Sequence, residues 1–125
     1  MSHLRVSIHD DRSVLGRAAA DLATRGLLDA CGRSGSATLV VATGSSQFEV
    51  LAELAAMVAI PWERITVFHL DEYVGLEPTH PASFRRFLRQ RFIECLPTPP
   101  AAFHELDGLA ADPFAECDRL AALMP

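Results

Sequence analysis

Two adjacent carboxylates, Asp71 and Glu72, are the residues of this sequence best suited to chemistry. They follow Ile65 to Leu70, a run of apolar and β-branched residues that predicts a buried strand. Ligands of open α/β sheets bind at the carboxyl ends of the strands, so these acids lie where a substrate would be. A partly desolvated carboxylate there can accept and return a proton near neutral pH. Taken alone, however, the pair is more typical of turn chemistry.

A second candidate group lies between Thr43 and Ser46, after another apolar run and before a helical pattern. A Gly-Ser-Ser turn that opens into a helix offers N–H donors and the positive end of the helix dipole, which together suit a phosphate. We therefore predict that Thr43, Gly44, Ser45 and Ser46 bind phosphate. An ordinary capped turn without a ligand has the same pattern, and from the turn alone it is favoured.

The residues around Asp71 resemble those of the glucosamine-6-phosphate deaminase family, the glucosamine/galactosamine-6-phosphate isomerases. The block TVFHLDEYVGL at 66–76 is followed by HPAS at 80–83. The family carries a similar DEYVGL, a short spacer and HP-x-S before a helix. The segment VATGSSQ at 41–47 stands where the family has a Thr-Gly-Gly-Thr-Pro-like sugar-phosphate loop, with Ser45 replacing a glycine and Gln47 standing where proline is common.

The resemblance runs from about Leu4 to at least Ile93. Measured against the family, the 125 residues are about half the expected length, so we interpret 1–125 as the N-terminal part of a single sugar-phosphate isomerase/deaminase-like α/β domain, apparently truncated. The family's second half carries an Asp-Gly-His segment used for ring opening and further basic residues that hold the phosphate. Neither is found in this sequence.

The resemblance implies an enzyme that converts an amino-sugar 6-phosphate to fructose 6-phosphate and ammonia, with no metal and no cofactor. In the family, the aspartate corresponding to Asp71 is the catalytic base that moves a proton between C2 and C1 of the opened sugar. Glu72 points to the opposite side of the strand, so we interpret it as a support of the site and count it with the substrate-binding residues. The chain is predicted to be inactive alone.

Two alternatives stay open beside the deaminase. One is a 6-phosphogluconolactonase-like hydrolase of the same superfamily, whose equivalent strand usually ends in Asp-Glu-Arg, whereas this chain has Tyr73. The other is a sugar-phosphate sensor without catalysis, which the loosened phosphate loop favours. The sequence downstream of Pro125 would separate an enzyme from a binding fragment, since an in-frame Gly-x-Asp-Gly-His would support the enzyme and a stop codon would favour a relic or a binding fragment.

The composition of the chain argues against several classes of binding partner. A net charge of −5 with no basic run argues against nucleic acid and against a membrane surface. All eleven basic residues are arginine, which excludes a lysine Schiff base and a Walker-type loop.

The three cysteines form no close pair and are interpreted as buried small hydrophobes, not metal ligands. Without a signal-peptide core or a membrane span we expect a cytoplasmic protein, and uncovered apolar sheet surface predicts a homo-oligomer.

The elements that must position these residues follow from periodicity. The pattern predicts an open, mostly parallel Rossmann-like sheet flanked by helices, in which the strand Thr38 to Thr43 is covered on both faces. Either Ser45 or Ser46 is expected to cap the helix that follows. The arginines of the helix 81–91 are interpreted mainly as surface residues, and His69 as a core residue outside the site. The predicted strands are 5–9, 38–43, 65–70 and 103–106, and the predicted helices 13–31, 48–58, 81–91 and 112–123.

Overall fold

Three parallel strands and four helices alternate along residues 3–125, the part of the chain that the computed structural model describes. Short 3₁₀ turns stand at Ser45–Gln47, Trp62–Arg64 and Ile93–Cys95. The regular elements are α1 (Arg12–Ser34), β1 (Ala37–Val41), α2 (Phe48–Ala55), β2 (Ile65–His69), α3 (Phe84–Arg91), β3 (Ala102–His104) and α4 (Pro113–Leu123).

The strands form one open sheet in the order β1-β2-β3, and both pairings are parallel. Val41 is paired with His69 at the end of the first ladder, and Phe68 with His104 at the end of the second. The carboxyl ends of all three strands therefore meet at one edge of the sheet. The predicted α/β class with a parallel Rossmann-like sheet is confirmed.

Local signals in the sequence set the ends of α1 and α4. The Asp11 side chain accepts a hydrogen bond from Val14 N–H at the start of α1, and Gly35 ends that helix with a left-handed φ of 81°. A residue without a side chain adopts this conformation at little cost. At the start of α4, Asp112 accepts from the Phe114 and Ala115 amides. The helix α1 ends three residues beyond the prediction.

The core lies between the sheet and the pair α1 and α2. It contains apolar residues that are almost completely buried, among them Leu27, Leu51, Leu54, Trp62, Ile65, Val67, Leu88 and Phe92. The Trp62 and Phe92 rings meet edge to face at 5.7 Å. Because these side chains come from every layer of the fold, the carboxyl edge of the sheet has a rigid base.

The prediction that the first strand of the sheet is covered on both faces is wrong. Val40 is 41% exposed, and Thr38 beside it is exposed as well. The reason is that α1 and α2 both pack on the opposite face, while β1 is an edge strand. Only further along the sheet does this face become covered, where Phe68 is buried against the His104 ring at 4.9 Å.

A strand at 5–9 is also not found. The described residues before α1 pair with no strand within 3–125, and their apolar side chains Leu4, Val6 and Ile8 are exposed. Alternation of apolar and polar residues predicts a strand only where a neighbouring strand can pair with it.

The cysteine prediction holds for one residue of three. Cys31 is buried in the core, but Cys95 and Cys117 are exposed, because each lies on the outer side of its segment. No helix among residues 3–125 combines the length and the apolar character that crossing a membrane would need.

Candidate functional site at the carboxyl edge of the sheet

Asp71 leaves the sheet two residues after β2 and keeps its carboxylate free. The residue is exposed, and within residues 3–125 its side chain makes no hydrogen bond or ion pair. It lines a cavity of about 210 Å³ together with Leu70, Val74, Leu106 and Gly108. A carboxylate in this position can exchange a proton with a molecule that enters the cavity.

Glu72 has the opposite surroundings, because the protein occupies both of its oxygens. Its side chain is 2% exposed. Oε1 accepts from the Tyr73 amide at 2.8 Å and the Phe84 amide at 3.0 Å. Oε2 accepts from Ser83 Oγ at 2.8 Å and the Arg85 amide at 3.0 Å. Both residues line the cavity, but among residues 3–125 only the Asp71 carboxylate is free there, because the Glu72 oxygens bond the Tyr73 amide and the start of α3.

These bonds also keep Glu72 ionised. Burial alone would raise the pKa of Glu72, but the amides of Arg85, Phe84 and Tyr73 and the Ser83 hydroxyl outweigh it and hold the pKa below its usual value. The carboxylate lies at the amino end of α3, where the helix dipole favours a negative charge. Glu72 therefore fixes the loop that carries Asp71 and has no free oxygen for a substrate.

Arg85 connects this loop with the loop after β3. Its Nε lies 3.5 Å from Glu72 Oε2, and its Nη1 lies 3.4 Å from Asp107 Oδ1. The interpretation of Arg85 as a surface residue is wrong, since it is 7% exposed. Helical periodicity places Arg85 and Leu88 on the same buried side of α3, and the sequence pattern gave no sign that a cation would face inward.

Close backbone contact joins the same two loops a second time. The Gly75 amide donates to the Gly108 carbonyl at 2.7 Å, and Gly75 has a φ of 87°. A Cβ on Gly108 would overlap the Tyr73 carbonyl oxygen and lie 3.3 Å from Glu72 Cγ. The segment after Asp71 can take this path only because residue 108 is glycine.

We expect Gly108→Ala to destabilise the protein by about 1 to 3 kcal/mol, because the overlapping atom belongs to the backbone and the whole loop must move. Urea unfolding measures this loss. Gly26→Ala is the control for adding a methyl group without overlap, since a Cβ there meets no atom within 4 Å, and in the interior of α1 it should stabilise by about 0.5 to 1 kcal/mol. A Gly108→Ala protein as stable as the parent would show that the loops move without cost.

Glu116 on α4 holds the loop after β3 in place. It accepts from the Asp107 amide at 2.8 Å and from Arg119 Nη2 at 2.6 Å. The Arg119 bond, above all, outweighs burial and lowers the pKa of Glu116 to about 2. Because the folded-state pKa lies below the unfolded one, this contribution to stability is present above pH 4.5 and is lost as the pH falls toward 2.

Acid should therefore weaken the fold partly through Glu116. The pKa difference sets an upper limit of about 3 kcal/mol, and because Arg119 is half exposed we expect a loss on the order of 1 kcal/mol. Urea unfolding at pH 7, 4.5 and 3 measures it. The Glu116→Gln variant should lose less stability between pH 4.5 and 3 than the parent, while Asp118→Asn, an exposed acid of the same helix, should behave like the parent. Identical acid sensitivity of all three proteins would contradict this role.

The histidines near Asp71 have structural contacts. His69 is 3% exposed, and its Nε2 accepts from the Leu106 amide at 2.9 Å. Burial lowers the pKa of His69 despite nearby acids, which favours the neutral ring that this bond requires. The prediction of a core histidine is confirmed, although Nδ1 is buried without a partner in the described chain. His80 Nδ1 accepts from the Ala82 amide within its own loop.

The predicted phosphate turn lies beside Asp71 at the same edge. Val41 and His69 are paired, and the Leu70 amide donates to the Val41 carbonyl at 3.1 Å, so the segments after β1 and β2 leave the sheet side by side. Gly44 has a φ of 119°, a conformation that disfavours any side chain there. The first amides of the 3₁₀ turn that begins at Ser45 have no intrahelical partner.

Two details of this turn differ from expectation. Neither Ser45 nor Ser46 caps α2, since the residue before the helix is Gln47 and no side chain bonds the free amides. The 3₁₀ turn separates the serines from the helix start, which periodicity did not reveal. In addition, the Thr43 hydroxyl is buried without a hydrogen-bond partner among the described residues. The turn therefore keeps several polar groups that the protein itself does not use.

A parallel open sheet with an aspartate and a glycine-serine turn at its carboxyl edge defines an α/β protein in which that edge is the side where ligands bind. The family model for glucosamine-6-phosphate isomerases/6-phosphogluconolactonase matches residues 10–125. The chain belongs to this family. The suspected resemblance is confirmed.

Individual relatives agree with the family match. The chain is 43% identical over 88 residues to a glucosamine-6-phosphate deaminase of Arthrobacter sp. (strain FB24), covering 68% of this chain and 34% of the relative. A solved monomeric glucosamine-6-phosphate deaminase superimposes with a TM-score of 0.82 at 26% identity, over 96% of this chain and 49% of that chain. A solved 6-phosphogluconolactonase from Shewanella baltica OS155 superimposes with a TM-score of 0.76 at 26% identity, over 91% of this chain and 48% of that chain. The chain thus spans about a third of the curated relative and about half of each solved structure.

Proposed function

We propose that this chain contributes the proton-transfer and phosphate-binding part of a glucosamine-6-phosphate deaminase-like site. The observation that carries the proposal is the different bonding of two acids that line one cavity: the Asp71 carboxylate is free within residues 3–125, while Glu72 is fully bonded to the protein. A turn-capping role for Asp71 would bond its carboxylate to nearby amides, and no such bond exists among residues 3–125. The family to which the chain belongs and its deaminase relatives support the same activity.

In the proposed reaction, Asp71 takes the proton from C2 of the ring-opened amino sugar and returns it to C1. The imine left at C2 adds water and releases ammonia, so one water is consumed and fructose 6-phosphate is formed. The sugar phosphate is held by Thr43, Gly44, Ser45 and Ser46. Glu72 contributes to this step indirectly, because its bonds to the Phe84 and Arg85 amides fix the loop that carries Asp71.

Further proposals concern the protein as a whole. We propose that the described residues form the first part of a single domain, that the reaction needs neither a metal nor a cofactor, and that the protein acts in the cytoplasm. We also propose a homo-oligomer, which the exposed apolar side chains Val40, Phe48 and Phe114 support.

The test is turnover by the protein expressed from the complete reading frame that contains this chain. Ammonia and fructose 6-phosphate should form from glucosamine 6-phosphate. The solved lactonase relative makes 6-phosphogluconolactone the competing substrate, so its hydrolysis is measured in parallel. Lactone hydrolysis without ammonia release would replace the deaminase with the lactonase. Binding of the sugar phosphate without turnover of either substrate would favour a sugar-phosphate sensor without catalysis.

A further inference from the structure

A second cavity lies between the first two turns of α1, the turn after β1 and the start of α2. It measures about 490 Å³, and its wall includes Arg12, Gly16, Ser45, Ser46 and Glu49. Arg12 Nη2 donates to the Ser45 carbonyl oxygen and contacts Glu49 Oε2 at 3.1 Å. The guanidinium group is therefore held directly against the turn that we assign to phosphate.

The position of Arg12 runs against local preference. It is the first residue of α1, where the helix dipole disfavours a cation. Both of its bonds use Nη2, so Nη1 and Nε have no acceptor within residues 3–125, and the side chain is 63% exposed. An arginine that is held against the turn and keeps free donors can bind an anion without first breaking a bond to the protein.

We propose that Arg12 binds the phosphate group of the substrate, together with the amides of Ser45 and Ser46. The inference rests on the proposed function in one respect, that the phosphate belongs to a sugar. A guanidinium presents several N–H donors in a planar fork that matches phosphate oxygens, and charge-assisted bonds of this kind are stronger than neutral ones. Because the sequence contains no lysine, arginine is the side chain that can give this turn a permanent positive charge.

The same helix offers a matched control. Arg17 lies about a turn further along α1 and pairs with Glu53 of α2 at 3.8 Å. Its side chain is 63% exposed, the same value as for Arg12, and the exposures of the two glutamates are 32% and 33%. Both pairs join α1 to α2, but the Arg12 side chain alone of the two bonds the turn. Any effect of losing an α1–α2 ion pair should therefore be equal in both variants.

The experiment follows the amide signals of Ser45 and Ser46 by NMR while inorganic phosphate, and separately glucosamine 6-phosphate, is added. Arg12→Gln should weaken binding of both ligands by about tenfold or more. Arg12→Lys, which keeps the charge but not the fork, should fall between the parent and Arg12→Gln. Arg17→Gln should bind within about twofold of the parent, and glucosamine without phosphate should not distinguish any of the variants.

The outcomes separate this inference from the proposed function. Equal losses in Arg12→Gln and Arg17→Gln, or no loss in Arg12→Gln, would overturn the role of Arg12. Binding of inorganic phosphate that depends on Arg12, without binding of the sugar phosphate, would keep Arg12 and reject the proposed substrate. If neither anion moves the two amide signals, the phosphate site is wrong, while the turnover assay still decides on the deaminase.

Discussion

Asp71→Asn is expected to lower ammonia release from glucosamine 6-phosphate by about 10²- to 10⁴-fold, the range that general acid–base catalysis contributes. Asparagine has the same shape but cannot take the C2 proton. Because the Asp71 side chain bonds nothing within residues 3–125 and is exposed, stability should change by less than about 0.5 kcal/mol. Turnover and urea unfolding are measured on the same preparation of the protein from the complete reading frame.

Glu77→Gln is the matched control for Asp71, since Glu77 is an exposed acid of the same loop. It should keep the activity of the parent, which separates loss of one particular base from loss of negative charge near the site. Affinity for the sugar phosphate should stay within a few-fold in Asp71→Asn, because the phosphate contacts proposed above do not include Asp71. More than about a tenth of the parent's activity in Asp71→Asn would reject the base assignment.

The parallel sheet and the location of Asp71 were predictable from the sequence. The run that becomes β2, Ile65–His69, lies largely buried in the middle of the sheet, and its apolar pattern and the turn residues after it are local properties of the sequence. The wrong predictions share a physical cause. The exposure of Val40 and the missing strand at 5–9 depend on which elements lie beside them, and no local pattern contains that information.

The supporting residues of the site escaped prediction for a related reason. Arg85, Asp107 and Glu116 are ordinary charged residues in sequence, and they gain their roles because α3, the loop after β3 and α4 converge on the segment after Asp71. One signal was available, the adjacency of two acids at a strand end. Alternation correctly separated their directions, and the structure adds that Glu72 points at the amino end of α3.

Residues outside the loop of Asp71 hold this loop in place, while the Asp71 carboxylate itself stays unbonded within residues 3–125. The loop of Asp71 is fixed by Glu72 on one side and by Gly108 on the other, so the backbone that carries the carboxylate is held in place. The carboxylate itself breaks no bond to residues 3–125 when it meets a substrate. The free donors of Arg12 at the neighbouring turn have the same property.

Glu72 should therefore contribute strongly to the stability of the fold, whereas Asp71 should contribute to turnover. We expect Glu72→Ala to lower the free energy of unfolding by about 3 to 5 kcal/mol, because it leaves the buried Arg85 guanidinium without its buried carboxylate partner and removes an acceptor from three amides and one hydroxyl. Glu72→Gln should also destabilise the protein, since an NH₂ group replaces one of the two carboxylate oxygens and this donor then faces other donors. Urea unfolding measures both variants against Glu77→Ala, which should stay near the parent.

A double variant shows whether the buried ion pair is the cause. Arg85→Met replaces the guanidinium with an apolar side chain of similar length, so adding it to Glu72→Ala should cost less than adding it to the parent. We expect a coupling energy of at least about 1 kcal/mol between the two positions, as for other residues in direct contact. Additive losses would mean that Glu72 acts through its bonds to the three amides and the Ser83 hydroxyl, and not through the Arg85 guanidinium. A Glu72→Ala protein as stable as the parent would show that the loop of Asp71 is held by other contacts.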